Sequence, residues 1–227
     1  SDGVVTIRSV HHLADSVEVI TPDRTLPATH EHSGVWVCAF EADDIPDYRL
    51  RVTYGDHSQV VDDPYRFLPT LGEMDTYLIG EGRHERLWEV LGAHITHFDG
   101  VMGPVDGVAF AVWAPNARAV RVVGDFNFWD GTAHSMRSMG ASGVWELFVP
   151  GVGVGARYKF EIQGPSGDWF QKADPMARAT EIPPATASVV TDVFHTWGDD
   201  EWLRAREETN PHSGPMSIYE VHAGSWK

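Results

Sequence analysis

Hydrophobic positions along the chain come in short runs closed by glycine, proline or paired acidic residues: GVWVCAF, YRLRVTY, VAFAVWAP, AVRVVGDF, GVWELFVP, ARYKFEI and ASVVTDV. Short runs rich in β-branched and aromatic residues, bounded by turn formers, predict strands. In GVWELFVP, Val144, Glu146 and Phe148 alternate with Trp145, Leu147 and Val149, the two-residue period of an antiparallel sandwich. Helical spacing is confined to two places. RHERLWEVLGAH carries a stripe of Leu87, Val90 and Leu91 with Gly92 placed to end it in a left-handed cap. GDDEWLRARE begins with Asp199, Asp200 and Glu201 and ends with Arg204 and Arg206, the charge order a helix dipole favours.

The pattern repeats. GVWVCAFEADDIPDYRLRV followed by VVDDPYRF (Gly34 to Phe67) parallels GVWELFVPGVGVGARYKFEI followed by KADPMAR (Gly143 to Arg178): Gly-Val-Trp, then a tyrosine, then Asp-Pro. Two sandwich domains of one ancestry, joined by a helix, account for the echo. The expected division is a first β-sandwich over 1–82, a linker helix over 83–97, a second β-sandwich over 98–196, and a linker helix with a terminal strand over 197–227. The predicted fold class is all-β: two tandem immunoglobulin-like β-sandwiches with short helical linkers.

Length and charge narrow the partners. A chain of 227 residues with 42% hydrophobic and 22% charged content suits one large or two small packed domains. A formal net charge of -16 offers no attraction to nucleic acid or to anionic membranes, which recruit lysine and arginine clusters. The one cysteine, Cys38, excludes an internal disulfide and thiolate metal sites, and reads as a buried, inert thiol. No apolar stretch approaches the roughly 20 residues a spanning helix needs and no cationic leader opens the chain, so a cytoplasmic location is expected. His11 with His12, His30 with His32, and His94 with His97 lack a converging third ligand, so no metal is expected. Asp43-Asp44 and Asp62-Asp63 lack calcium-loop spacing and read as turns. GVGVG (Gly151 to Gly155) sits between two strands without Gly-Lys-Ser/Thr, which makes it a hairpin loop. No cofactor is expected. Trp36, Trp113 and Trp145 fall inside strand patterns and read as core.

FAVWAPNARAVRVVGDFNFWD, KADPMARATEIPPATASVV and PMSIYEVHAGSWK, together with HERLWEVLGAHI, resemble the N-terminal region of bacterial 1,4-α-glucan (glycogen) branching enzymes, in which the second sandwich is a carbohydrate-binding module of family 48. The likeness is strongest from about His84 onward and rests on layout before that. It implies that SIYEVHAGSW opens a (β/α)8 catalytic barrel, so that the chain stops at the first barrel strand, the catalytic carboxylates lie beyond Lys227, and this segment holds no catalytic residue. The parent's implied reaction is a retaining double displacement in which a 6-hydroxyl of another glucan replaces water as acceptor. The implied partners are α-glucan (glycogen, malto-oligosaccharide) and the chain's own C-terminal catalytic barrel. Modules of this family that bind glycogen use a tryptophan after FN, a lysine in a YKF strand and a second tryptophan nearby; Trp129, Lys159 and Trp169 hold those places here, with Asn127 either donating to sugar or holding the turn. Two other readings are carried: the N-terminal part of a trehalose-releasing or debranching hydrolase, which shares FxVWAP and an IYEVH-like strand, and a non-catalytic glycogen-targeting scaffold, against which the terminal SIYEVHAGSWK argues. VGDFNFWD and KADPMARATEIPPATASVV favour branching.

Overall fold

The computed structural model describes residues 3–192, 196–210 and 212–225, which fall into two units, 1–192 and 193–227. The first unit begins with β1 (Val4–Val10), β2 (Ser16–Ile20), β3 (Thr25–Pro27), β4 (Thr29–His32), β5 (Val35–Glu41), β6 (Arg49–Tyr54) and β7 (His57–Val61). They pair antiparallel into two sheets, β1-β5-β4 and β3-β2-β6-β7. Alternate residues of a strand share one sheet face. Trp36, Cys38 and Phe40 of β5 therefore point together at Val17 and Val19 of β2 and Leu50 and Val52 of β6. Cys38 is a buried free thiol, as its apolar run predicts.

After α1 (Glu73–Gly80) come β8 (Gly92–Phe98), β9 (Val105–Trp113), β10 (Ala119–Gly124), β11 (Arg137–Ser138), β12 (Val144–Pro150), β13 (Arg157–Gln163), β14 (Trp169–Lys172), β15 (Ala179–Thr180) and β16 (Ser188–Val189). One sheet runs β11-β12-β9-β8; the other runs β10-β13-β16-β15, with β14 also on β13. Val108, Phe110, Leu147, Val149, Val122, Tyr158 and Phe160 fill the space between them. The opposite face of β9 and β12 is covered as well. Phe67 packs on Ala109 and Phe148, while Leu71 and Leu91 pack on Ala111 and Val144. A strand buried on both faces reads as a continuous apolar run, which is why VAFAVW shows so little alternation.

That cover corrects the linker helix predicted over 83–97. Leu87, Val90 and Leu91 form only a 3-10 turn at Leu87–Glu89, and the chain then enters β8, whose register on β9 runs from Gly92 opposite Ala111 to Phe98 opposite Val105. Edge pairing and burial against β9 outweigh a local helical stripe, because most helical stability comes from packing rather than propensity. Gly92 does take a left-handed φ of 104°, but it opens a strand, and a Cβ there would lie 3.2 Å from the Met176 carbonyl. The helix of this connector lies upstream, in α1.

The second unit contains α2 (Asp200–Glu208), the helix predicted from GDDEWLRARE. Residues 216–222 form no strand, and Ala223–Ser225 is a single 3-10 turn. The strand predicted at SIYEVH is not formed: 216–222 are exposed and pair with no strand among the described residues, and unpaired strands are not stable in water on their own.

Candidate functional site

Of the strand β13, Tyr158 and Phe160 enter the core, so Arg157, Lys159, Glu161 and Gln163 face outward. On one side Val123 stands opposite Lys159 and Arg121 opposite Glu161; on the other, Gln171 stands opposite Glu161 and Trp169 opposite Gln163. The Arg121 guanidinium lies 4.2 Å from the centre of the Trp169 ring, and its Nη1 is 3.5 Å from a Glu161 carboxylate oxygen. Trp169 is 37% exposed with that cation behind it. Lys159 donates from Nζ to Thr186 Oγ1 at 2.8 Å.

The loop after β10 turns back over this face. A Cβ on Gly131 would fall 2.7 Å from Arg121 Cβ and 2.9 Å from a Val123 methyl, so only glycine fits where the loop lies on the strand. The turn is a 3-10 segment, Asp125–Asn127, followed by Phe128 at φ 54° and Trp129 at φ 63°. Bulky residues rarely adopt left-handed backbone, and each costs about 1–3 kcal/mol. Hydrogen bonds hold them there: Trp129 N–H to the Gly124 carbonyl at 2.9 Å, and Asp130 N–H to the Asn127 carbonyl at 2.9 Å. Asn127 Oδ1 accepts from Gly124 N–H at 2.9 Å, while Nδ2 donates to the Val122 carbonyl at 2.9 Å and lies 3.2 Å from His134 Nδ1. Burial pushes His134 down to about 4, so its imidazole is uncharged at neutral pH. Trp129 is 36% exposed, and Asp125 of the same turn accepts from Arg157 Nε at 2.8 Å.

These contacts tie Trp129 to the Arg157 end of β13 and Trp169 to the Gln163 end, with Lys159 and Glu161 in between. At roughly 3.3 Å per residue those ends are about 20 Å apart along the strand. Lys159 and Trp169 thus share one outward sheet face, and the loop that carries Trp129 lies against it at Gly131. Asn127 differs, since both ends of its amide are spent inside the turn. Arg121 and Glu161 complete the face and were missed by the sequence reading; the signal was present, because Arg121 interrupts the apolar run AVRVV at an outward position.

Trp36 and Trp145 belong to the two sandwich cores. Trp113, predicted as core, is instead 56% exposed. It is the last residue of β9, beyond the covering connector, and its indole donates to the Ser142 carbonyl at 3.1 Å. Among the described residues no group of three or more metal-ligating side chains converges, and no helix is long and apolar enough to cross a membrane.

Comparison with known proteins places these features. Residues 1–65 match the family described as alpha-1,4-glucan branching enzyme GlgB, N-terminal domain, and residues 90–177 match Carbohydrate-binding module 48 (Isoamylase N-terminal domain). Similar proteins include the 1,4-alpha-glucan branching enzyme GlgB of Leifsonia xyli subsp. xyli, 53% identical over 232 residues, covering 100% of this chain and 31% of that protein. The enzymes of the same name from Frankia casuarinae and Thermobifida fusca are each 56% identical; the matches cover 100% and 98% of this chain, and 28% and 30% of theirs. The chain therefore spans about three-tenths of the length of the relatives it matches. Among solved structures, pullulanase type I from Bacillus subtilis in complex with maltose gives a TM-score of 0.38 at 17% identity, covering 86% of this chain and 26% of that one. With near-complete coverage at more than half identity and two adjoining family matches in the expected order, the chain is homologous to the N-terminal region of bacterial glycogen branching enzymes.

Proposed function

We propose that the outward face of β10, β13 and β14 holds α-1,4-glucan for a branching reaction carried out elsewhere in the parent protein. In this reading the two sandwich domains are built from β1–β7 and from β8–β16, and the partner downstream is a catalytic barrel that cleaves an α-1,4 link and transfers the segment to a 6-hydroxyl with retention. The observation that carries the proposal is Trp169, whose ring is backed by Arg121 at 4.2 Å while the residue stays 37% exposed. A glucose ring presents an apolar C–H face that an aromatic plane covers without stripping its equatorial hydroxyls of water. Lys159 and Glu161 supply a donor and an acceptor between the two indoles.

The strength of such a site follows from area. Aromatic side chains bury about 150–250 Å² when fully covered, so one stacked face hides about 80 Å², worth about 2 kcal/mol at roughly 25 cal/mol per Å². Two stacked faces give about 4 kcal/mol before ordering costs, near the millimolar range. Weak sites suit a polymer, because many ligand copies and a tether to the catalytic region raise the effective concentration. Trp169→Ala is expected to lower retention in glycogen affinity gels about tenfold, with little dependence on salt because no counterions are released. Unchanged retention by a normally folded variant would sink the proposal.

A further inference from the structure

The 125–135 loop has a second side, which faces the first sandwich. Between them lies a cleft of about 580 Å³, walled by Arg8, His11, Tyr54, Gln59 and Tyr65 on one side and by Phe128 and its neighbours on the other. Its far end is tied where the Tyr65 hydroxyl donates to the Ser135 carbonyl at 2.9 Å. The size is that of a ligand cleft rather than a packing defect.

Its chemistry is polar, with one cation unpaired among the described residues, Arg8, and two carboxylates that are already engaged. Burial lowers His11 and holds His134 at about 4, so both are uncharged at neutral pH. Asp62 is spent on Arg49 at 3.0 Å and Arg66 at 3.1 Å, and Asp63 accepts from Tyr48 at 2.8 Å. The Arg8 guanidinium and the Gln59 amide have no hydrogen-bond partner among the described residues. Phe128 is 93% exposed in left-handed backbone. Strained backbone of this kind clusters at ligand clamps and active sites, and here it holds a phenyl ring at the cleft. Unspent donors beside aromatic rings, without a cluster of charge, fit an uncharged polyhydroxylated chain.

We propose that this cleft is a second α-glucan subsite, in which the first sandwich takes part in binding. The loop then serves two surfaces, with Phe128 on the cleft and Trp129 on the sheet face, so that one glucan can pass from one to the other. The inference rests on the glucan reading above, and the test separates the two. Phe128→Asn suits the left-handed backbone, and Arg8→Ala with Gln59→Ala alters only exposed side chains; both variants of the 227-residue chain are checked by thermal melting. Calorimetric titration with maltoheptaose and with maltotriose is then run on wild type, the two cleft variants and Trp169→Ala. The cleft variants are expected to bind maltoheptaose three- to tenfold more weakly with maltotriose unchanged, whereas Trp169→Ala weakens both. Wild-type maltoheptaose affinity in both cleft variants overturns the proposal, whatever Trp169→Ala does. If the cleft variants lose binding and Trp169→Ala does not, the cleft stands and the sheet-face reading falls.

Discussion

In the first sandwich β1 pairs with β5 and β5 with β4, while β2 pairs with β6 and β6 with β7; in the second, β9, β12, β11, β10, β13 and β14 take the same places in the same order. The correspondence reaches single atoms. Gly34 and Gly143 both take left-handed backbone, at φ 78° and 73°. The residue two positions on, Trp36 or Trp145, donates its indole N–H to a backbone carbonyl, His11 at 3.2 Å or Ala114 at 3.1 Å. Tyr48 donates to Asp63 at 2.8 Å and Tyr158 to Asp174 at 2.5 Å. Each aspartate precedes a proline and accepts a backbone N–H two residues on, from Tyr65 or Met176. The repeated motif of the sequence is thus a repeated set of buried hydrogen bonds.

The outer faces have diverged. Glu18 on β2 pairs with Arg51 on β6 at 2.9 Å; at the matching place Arg121 on β10 meets Glu161 on β13, with the charges exchanged. Arg49 is held by Asp62, where the second sandwich has Lys159 on a threonine. Ser58 stands opposite Thr53 on β7, where Trp169 stands opposite Gln163 on β14. After β2 the chain turns at once, with Thr21 N–H bonded to the Arg24 carbonyl at 2.8 Å; after β10 it makes the long loop that carries Phe128 and Trp129. Buried positions keep the scaffold, and a few outward substitutions with one lengthened loop set apart the face proposed to hold glucan.

Acid should separate the two halves most strongly. A histidine whose folded pKa lies below its unfolded value contributes stability that is complete above about 6.5 and is lost as pH falls toward the folded value. For His134, at about 4 in the fold, the loss by pH 4 is on the order of 3 kcal/mol. His11, lowered by burial and by His12, adds a change of the same sign in the first sandwich. Urea unfolding at pH 7 and pH 4 should show His134→Gln losing less stability than wild type over that window. An equal loss in both would assign the acid sensitivity elsewhere.

The next effect tests the shared corner. Tyr158→Phe leaves the buried Asp174 without its hydroxyl donor and is expected to cost about 2 kcal/mol. Tyr48→Phe should cost less, about 1 kcal/mol, because the Arg66 and Arg137 guanidiniums still face Asp63. Denaturant midpoints at constant slope measure both. The reverse order would mean that the two corners are not the same device.

Much of this comparison could be read before any coordinates. The two-residue period marks Trp36, Cys38, Phe40, Leu147 and Val149 as inward, and the repeated Gly-Val-Trp, Tyr and Asp-Pro mark the two halves. What escaped is what depends on a distant neighbour. Leu87, Val90 and Leu91 carry a helical stripe, yet sheet burial makes them a cover and turns 92–98 into a strand. Glu146 reads as an outward residue of β12 but is sealed beneath Thr70, which donates to it at 3.1 Å from its hydroxyl. Trp113 reads as core because the period cannot tell where the covering layer stops. Asn127 could serve a ligand or a turn, and only its three partners assign it to the turn. Trp169 was legible as a candidate, whereas its Arg121 backing required the register of three strands.

The smallest effect comes from moving the aromatic platform itself. Ser58→Trp, in a chain already carrying Trp129→Ala and Trp169→Ala, puts an indole on the outer face of the first sandwich at the place matching Trp169. A single stacked face offers about 2 kcal/mol before ordering costs. The remaining parts do not follow it: Arg49 stays paired with Asp62, the ion pair beside it has its charges exchanged, and the turn after β2 brings no second aromatic. Recovery of glycogen retention should therefore be under about threefold, compared with about tenfold lost through Trp169→Ala alone. Full recovery would mean that an exposed indole on either sandwich is enough, and that the loop, Lys159 and Arg121 add nothing to the proposed glucan site.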